Sequence, residues 1–338
     1  SLSKMNSRQR IRNIIAGKPA DRCGFWLGNP HPDSWPALHK YFGTSSEEEL
    51  RLLLKDDFRW ITPWDAYHHP EGKPVFDMQR PGITLSEGGV FADTVSVDEV
   101  EAFDWPDPAY LDFSKYIETL HNAGEFYRAG GLWSPFFHEV CDFFGMENYF
   151  LKMYLNPDVV HAVTRHLIEY YLAANRLCFQ QCGDLIDGFF FGNDFGSQID
   201  ILVSPELFIE FIFPYFKDLT DLGKEFDKQI ILHSCGSIFR VMENLIGLGV
   251  DAFHPLQAKA ANMDADTLKT HFAGKVAFIG AIDTQDLLVN GSPDDVIAEV
   301  RRIKRTLGTS VVISPSHEAL LPNVPPENIE AMAIAATE

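Results

Sequence analysis

The stretch KQIILHSCGSIFRVMENLIGLGVDAFHPLQ, residues 228–257, contains a strand, a helix and a second strand in succession. The apolar run that begins at Ile230 ends abruptly at His233, and Cys235 and a glycine follow it. A helical pattern then covers residues 237–249, and VDAFHPLQ returns to an extended apolar pattern that contains His254. This order is typical of a parallel β-sheet whose strands are joined by helices.

The same alternation of strands and helices extends over most of the chain. Further buried strands are predicted in CGFWLG (23–28), DFRWIT (57–62), GGLWSPFF (130–137), LIDGFFFGND (185–194), KVAFIGAID (275–283) and SVVISPSHE (310–318), and a helix in residues 116–128. These strands lack alternating polarity, which favours burial on both faces. About eight such strands without a dinucleotide fingerprint predict an α/β fold, a single (β/α)8 TIM-type barrel over residues 1–338.

Residues from about 57 to 110 interrupt this regular pattern. The segment ITLSEGGVFADTVSV (83–97) alternates around Gly88 and Gly89, which predicts a hairpin, and the segment that follows is rich in proline and aspartate. We therefore expect an N-terminal hairpin and loop elaboration of the barrel.

Charge and cysteine usage exclude several classes of protein. The formal net charge of −20 argues against nucleic acid or an anionic membrane surface as a partner. Five scattered cysteines do not form a disulfide framework, and no apolar run reaches the length of a membrane span. We expect a cytoplasmic enzyme that acts on a small molecule.

Polar side chains follow the predicted strands at the end where barrel enzymes carry their active sites. These residues are His138 and Glu139, Asn193 and Asp194, His233 and Cys235, His254 and Gln257, Asp283, and Ser316 to Glu318. The recurrence of titratable and metal-ligating groups at one end predicts a functional site there.

His233, Cys235 and His317 form the sharpest set of candidate ligands. Zinc prefers thiolate sulfur and imidazole nitrogen, and a His-x-Cys spacing places both side chains on one side of an extended segment. His317 follows a strand from across the barrel mouth, and three protein ligands would leave a catalytic position open. The alternative is that all three are packing or loop residues.

The other candidates have two interpretations each. Asp194 is positioned for acid–base work or substrate contact, or it caps a helix or turn. Glu139 is a candidate fourth metal ligand, substrate contact or proton-transfer group, or it opens a helix together with His138. Asn193, His254 and Gln257 either bind substrate or pack. We expect Asp283 to cap a helix.

Several segments together resemble the uroporphyrinogen decarboxylase superfamily. They are the stretch from residue 230 to 257, FIGAIDTQDLL (278–288) and ISPSHEALLPNVPPENIEAM (313–332), with MNSRQRIRNIIAGKPADR (5–22) and GNDFGSQIDILVSPELF (192–208) fitting as well. The resemblance covers nearly the whole chain and implies a single TIM-type barrel.

Within that superfamily the chain is more similar to the zinc-dependent, corrinoid-linked methyltransferases. That branch carries His-x-Cys after one strand, matched by His233 and Cys235, and a later cysteine whose place His317 takes here. The resemblance implies Zn²⁺, a methyl-corrinoid (cobalamin) supplied by a corrinoid partner protein, and a small thiol or a methoxy or methylamine compound as substrate. With one thiolate rather than two, a bound substrate thiolate would be a weaker nucleophile.

Two alternatives stay open. The cofactor-free decarboxylase branch acts on a tetrapyrrole in porphyrin biosynthesis and uses paired arginines after its first strand, where this chain has CGFWLGNPHPDSW (23–35). A non-catalytic protein that binds a corrinoid or another small ligand is the second alternative.

Overall fold

The computed structural model describes residues 3–76, 89–197 and 200–338. Its strands are β1 Gly24–Phe25, β2 Phe58–Trp60, β3 Tyr127–Gly130, β4 Gly188–Gly192, β5 Gln229–His233, β6 Ala252–Leu256, β7 Ala277–Ile282 and β8 Val311–Pro315. Its helices are α1 Ser7–Ile15, α2 Trp35–Phe42, α3 Glu47–Leu53, α4 Val97–Glu101, α5 Ser114–His121, α6 Phe136–Phe144, α7 Met146–Leu155, α8 Pro157–Cys182, α9 Pro205–Phe211, α10 Phe213–Glu225, α11 Phe239–Gly247, α12 Ala265–Phe272, α13 Leu287–Asn290, α14 Pro293–Leu307 and α15 Pro326–Thr337.

The eight strands form one sheet in the order β1-β8-β7-β6-β5-β4-β3-β2, and every neighbouring pair is parallel. Helices connect successive strands and surround the sheet, so the predicted (β/α)8 barrel is confirmed. The central strands β4 to β8 are buried almost throughout, which explains why their sequences read as continuous apolar runs.

The interior of the barrel is closed at its N-terminal end by α1. Ile11, Ile14 and Ile15 of this helix pack in one buried cluster with inward-facing side chains from the strands, including Trp26 and Phe190. Asn6 caps α1 by accepting the N–H of Gln9, and the apolar stripe of the helix faces the barrel. Because α1 fills this end, the barrel interior is covered at the N-terminal ends of the strands.

Carboxylates join the two end strands, β1 and β2. The backbone makes one hydrogen bond, from the N–H of Asp57 to the carbonyl oxygen of Phe25, at 2.8 Å. The N–H groups of Phe25 and Leu27 instead donate to side chains, to Asp57 Oδ2 at 2.9 Å and to Asp56 Oδ2 at 3.1 Å. The side chains of Asp56 and Asp57 thus satisfy strand-edge donors that no neighbouring strand reaches.

Four arginines neutralise this pair of fully buried aspartates. Arg10 and Arg22 bind Asp57, each with a nitrogen 2.8 Å from a carboxylate oxygen. Arg51 approaches Asp56 to 2.7 Å, and Arg59 lies 3.4 Å from the same side chain. Buried carboxylates are tolerated only when they are paired and hydrogen-bonded. The arginines are therefore required if Asp56 and Asp57 are to join β1 to β2 in the interior.

The third strand lies earlier in the chain than predicted. The structure has β3 at Tyr127–Gly130 and α6 from Phe136, whereas the sequence predicts a helix over residues 116–128 and a strand over 130–137. Arg128 explains the difference. An arginine is usually a surface residue, but Arg128 is buried and donates to the carbonyl oxygens of Gly124 and Leu185. Its charge interrupts the apolar run by which a buried strand is predicted.

The predicted hairpin is corrected in its second half, and its first half lies outside the described residues. Residues 90–93 form a turn, no strand follows, and α4 begins at Val97. Phe91 drives this conformation, because its ring packs against those of Phe103 and Phe143, with centroids 5.5 and 5.4 Å apart. The elaboration is therefore loop and short helix over the residues that can be described.

In the described part of the chain, no helix combines the length and the apolar character needed to cross a membrane.

We expect Asp57→Ala to lower the free energy of unfolding by about 3–5 kcal/mol, because it leaves Arg10 and Arg22 buried without their shared partner. Urea denaturation followed by circular dichroism measures the change. Asp65→Ala is the control, since the Asp65–Lys115 pair is exposed and should contribute about 0–1 kcal/mol. Equal effects of the two substitutions would refute the role given to Asp57.

Candidate metal centre at the barrel mouth

Two histidines face each other at the C-terminal ends of β5 and β6. The parallel register pairs His233 with His254, and the N–H of Ser234 extends the ladder to the carbonyl oxygen of His254 at 2.7 Å. The Nδ1 atoms of the two rings are 3.0 Å apart. Burial lowers the pKa of both imidazoles, so both rings are neutral at neutral pH and each offers one nitrogen lone pair.

Cys235 and Asp194 lie on the other edge of the His233 ring. Cys235 Sγ is 3.6 Å from His233 Nε2, and Asp194 Oδ1 is 3.8 Å from the same nitrogen. The N–H of Cys235 donates to Asp194 Oδ1 at 2.7 Å, which fixes the loop after β5 against the end of β4. The possible ligand atoms of His233, Cys235 and Asp194 all lie within 4.8 Å of one another.

The sulfur–nitrogen distance is the one that a tetrahedral zinc ion would impose. A Zn–S bond of about 2.3 Å and a Zn–N bond of about 2.0–2.1 Å, at the tetrahedral angle, separate the two donors by about 3.5–3.6 Å. The observed 3.6 Å between Cys235 Sγ and His233 Nε2 therefore needs no rearrangement. Two of the three predicted metal ligands are thus brought together in a geometry that fits a cation.

The electrostatics around the thiol also fit a cation. Burial, followed by the charges of Asp194 and Glu318, raises the pKa of Cys235, so the isolated thiol stays protonated. Burial would also raise the pKa of Asp194, but its contacts with His138 and the Cys235 N–H bring it to about 2. A divalent cation would stabilise the thiolate directly and balance the neighbouring carboxylates.

A second group of ligand atoms shares His233. The possible donors of His233, His254 and Glu318 lie within 4.8 Å of one another. His254 Nε2 and Glu318 Oε2 are buried, and neither has a hydrogen-bond partner among the described residues. Such buried polar atoms cost about 1–3 kcal/mol each when they stay unpaired.

His317, the third predicted metal ligand, belongs to neither group. Its side chain is 46% exposed, and its Nδ1 accepts the N–H of Ala319 at 3.1 Å. A neutral ring whose Nδ1 accepts carries its proton on Nε2, so no lone pair is free in this arrangement. The ligand role of His317 stays a prediction and would require that hydrogen bond to break.

The predicted substrate-binding residues lie at the same end of the barrel but differ in their contacts. Asn193 is fully buried, and its Oδ1 accepts the N–H of Phe137 at 2.8 Å, which ties β4 to the start of α6. Gln257 Oε1 accepts the N–H of Gly236 at 2.7 Å, which shapes the loop that carries Cys235. These contacts give both residues a structural role, and their substrate contacts stay predictions.

A cavity of about 430 Å³ opens at the ends of β6, β7 and β8. Its lining combines apolar surface with the polar residues Gln257, Lys259, Asp283, Ser316, His317 and Asn323. The N-cap residue of α13 is Asp286 rather than Asp283, but Asp283 accepts the N–H groups of Asp286 and Leu287 from the preceding turn and also binds Lys259 at 2.9 Å. The cavity offers a small polar molecule access to the barrel mouth beside the ligand groups.

Tryptophans cover another side of the metal ligands. The rings of Trp60, Trp64 and Trp133 contact one another, with centroids 5.4 to 6.4 Å apart, and Trp133 packs 5.3 Å from the His233 ring. Gly192 makes this possible, because a Cβ there would come within 2.2 Å of the Trp133 ring. The aromatic wall limits the access of water to His233 from this side.

Glu139 is directed away from both ligand groups. Its carboxylate accepts the Tyr171 O–H from α8, in the helix layer outside the barrel. Burial raises the pKa of Glu139 from 4.5 to about 8, although the Tyr171 hydrogen bond opposes the shift. Glu139 therefore keeps its proton at neutral pH, and its catalytic role stays a prediction.

The family follows from the sequence profile that the chain matches. The profile described as uroporphyrinogen decarboxylase (URO-D) covers residues 84–338 of the chain. This chain belongs to the uroporphyrinogen decarboxylase family. No curated protein matches it.

Among solved structures, this family member is similar to a methyltransferase from Methanosarcina mazei. The identity is 16%, the alignment covers 99% of both chains, and the TM-score is 0.67. A Listeria monocytogenes protein assigned as a vitamin-B12-independent methionine synthase aligns over 94% of this chain and 96% of its own, at 12% identity and a TM-score of 0.44. At such identities, the M. mazei likeness shows the fold alone.

Two residues of the polar set predicted for this family member have roles that the sequence does not assign. Glu318, next to His317, is grouped with His233 and His254, whereas the sequence favours His317 as the ligand. His138 Nε2 accepts the backbone N–H of Asp194 at 3.1 Å and so supports a candidate ligand. The position of both residues directly after a strand indicates that they lie at the barrel mouth. The sequence does not indicate the direction in which either side chain points.

We expect Glu139 to make a contribution to the free energy of unfolding that falls as pH rises from about 5 to about 8. The folded pKa of Glu139 is raised, so folded protein holds a proton that the unfolded chain releases above 4.5. One full proton difference lowers the free energy of unfolding by about 1.4 kcal/mol per pH unit. In urea unfolding across this range, the free energy of unfolding should have a less negative slope against pH for Glu139→Gln than for wild type.

Glu147→Gln, which changes an exposed glutamate of α7, is the matched control and should keep the wild-type slope. If Glu139→Gln and wild type lose stability in parallel, Glu139 is not a buried neutral acid.

Proposed function

We propose that the chain is a zinc-dependent methyltransferase that moves a methyl group between a corrinoid protein and a small acceptor or donor. The observation that carries the proposal is the 3.6 Å distance between Cys235 Sγ and His233 Nε2, with Asp194 Oδ1 3.8 Å from the same nitrogen. This mixed sulfur, nitrogen and oxygen set suits zinc and leaves one coordination position open.

Zinc bound to these residues would act as a Lewis acid that holds the heteroatom of the methyl acceptor or donor and favours its anionic form. Asp194 has two roles in this scheme. It is the third candidate ligand, and it holds the Cys235 loop in place through the backbone N–H. Its low pKa keeps it ionised across the physiological range.

His254 would orient the His233 ring in this state. When His233 Nε2 faces the cation, its Nδ1 carries the proton and donates it to His254 Nδ1, 3.0 Å away. Metal-bound histidines usually donate their second N–H to such a partner, which fixes the ring and its tautomer. Gln257 supports the other ligand by accepting the N–H of Gly236.

The cavity beside the ligands would admit the small substrate. Its one positive side chain among the described lining residues, Lys259, is already paired with Asp283. The lining therefore suits a neutral or zwitterionic thiol, methoxy or methylamine compound. It does not favour a tetrapyrrole with several carboxylates, which would need several free cations to bind.

Two further arguments support methyl transfer. The His-x-Cys motif resembles that of the corrinoid-linked branch, and the M. mazei protein of similar fold is described as a methyltransferase. The corrinoid would approach the open barrel mouth, since α1 closes the opposite end.

We expect purified wild-type protein to contain about one zinc ion per chain and Cys235→Ser to lose most of it, because the thiolate is the strongest zinc ligand of the set. Metal analysis by mass spectrometry measures this. Transfer is then assayed with methylcobalamin, following cobalt absorbance with thiols, and in reverse with methoxy compounds and methylamines.

Cys182→Ala removes a buried thiol far from the cluster and should keep the metal. Loss of zinc in His317→Ala would support the predicted third ligand, whereas retention of zinc assigns that place to Asp194. A metal-free wild type purified without chelator would overturn the proposal.

A further inference from the structure

We propose that His233, His254 and Glu318 form a second cation site, which takes a divalent first-row metal through two nitrogens and one carboxylate and needs no thiolate. The site goes beyond the proposed methyl transfer, because it requires neither Cys235 nor a corrinoid. It shares His233 with the sulfur-containing set, and we assign to it the Nδ1 edge of the ring, which faces His254, whereas Nε2 faces Cys235 Sγ.

The spacing of the two imidazoles fits one cation between them. Two nitrogens bound at about 2.0–2.1 Å lie about 3.0 Å apart when the angle between them is close to 95°. The observed Nδ1–Nδ1 distance is 3.0 Å. This angle belongs to octahedral coordination, in which two histidines and one carboxylate on one face bind cations such as Fe²⁺.

His254 has its lone pair on the side that faces the site. Its Nε2 is buried among aromatic rings, with Trp26 and Phe190 centroids 5.1 and 5.3 Å from the imidazole, and it has no hydrogen-bond partner among the described residues. Aromatic faces accept a weak N–H contact but repel a lone pair. The proton therefore belongs on Nε2, which leaves Nδ1 free to coordinate.

Glu318 offers the carboxylate of this set. Its side chain is 24% exposed, but its Oε2 is buried without a hydrogen-bond partner among the described residues. His317 Nδ1 lies 3.8 Å away, but that nitrogen accepts the Ala319 N–H and so carries no proton. Its free oxygen can therefore complete a set of two imidazoles and one carboxylate around a cation.

The loop that carries Glu318 is held in place before any metal binds. The carbonyl oxygen of Glu318 accepts the N–H of Asn29 at 2.7 Å. Gly28 has a φ of +80°, and a Cβ there would lie 2.7 Å from the same carbonyl oxygen, so only glycine allows this approach. The third ligand is therefore presented by fixed backbone rather than by a free loop.

The two sites are alternatives in one chain. A neutral imidazole has one lone pair, so His233 serves the sulfur-containing set through Nε2 or the second set through Nδ1, but not both. A thiophilic cation such as zinc favours the set with Cys235, and a cation that prefers nitrogen and oxygen in octahedral geometry favours the second set.

The test is anaerobic titration of metal-free protein with Co²⁺, followed by absorbance. We expect wild type and Cys235→Ala to bind one Co²⁺ per chain, the variant without thiolate-to-cobalt charge-transfer absorption. In the Cys235→Ala background, Glu318→Gln should weaken binding by at least about 10-fold, as loss of groups around a metal commonly does. Glu243→Gln, on the exposed side of α11, is the matched control and should leave binding unchanged.

The proposal is overturned if Cys235→Ala binds no Co²⁺, or if adding Glu318→Gln leaves its affinity the same. Circular dichroism checks folding, and Cys235→Ser replaces Cys235→Ala in both arms if the alanine variant is misfolded. Neither result depends on methyl transfer, so a wild type without methyltransferase activity would defeat the proposed function and leave this comparison valid.

Discussion

The architecture depends on how β1 and β2, the two ends of the sheet, are joined. These strands are only two and three residues long, and they exchange one backbone hydrogen bond. Asp56 and Asp57 supply the missing acceptors, and buried arginines make those carboxylates tolerable in the interior. An open parallel sheet would leave edges unpaired and its strand ends spread apart. Closure brings the strand ends into one ring, on which every candidate ligand lies.

The same network reaches the functional end of the barrel. Arg51 binds Asp56 and also donates to the carbonyl oxygen of Gly28 at 2.7 Å. The next residue, Asn29, holds the carbonyl oxygen of Glu318 through its N–H. The ion pairs that close the barrel therefore also fix one of the carboxylates at its mouth. A rigid support of this kind is what a metal centre requires of the residues around it.

His233 is the residue that the two ligand groups share. Its Nε2 faces sulfur and the carboxylate of Asp194, and its Nδ1 faces the imidazole of His254. Glu318 offers a second carboxylate to the same ring. Two carboxylates, a thiol and a second imidazole therefore surround one histidine, and Glu318 Oε2 has no hydrogen-bond partner among the described residues. These are groups that coordinate divalent metals. The chemistry proposed for the chain rests on their convergence at His233.

The sequence by itself determined the barrel, the end that carries the site, and the pair His233 and Cys235, because apolar periodicity and a short His-x-Cys spacing act locally. It predicted β3 at the wrong position, because a buried arginine cannot be told from a surface arginine. It also favoured His317 as a metal ligand over the neighbouring Glu318, whose carboxylate lies near His233 and His254. Only the tertiary structure decided which residues of separate strands meet: the register of β5 and β6 pairs His233 with His254, and the loop held by Gly28 turns Glu318 inward. The sequence specifies which residue follows each strand, but the direction of its side chain depends on contacts with residues far away in sequence.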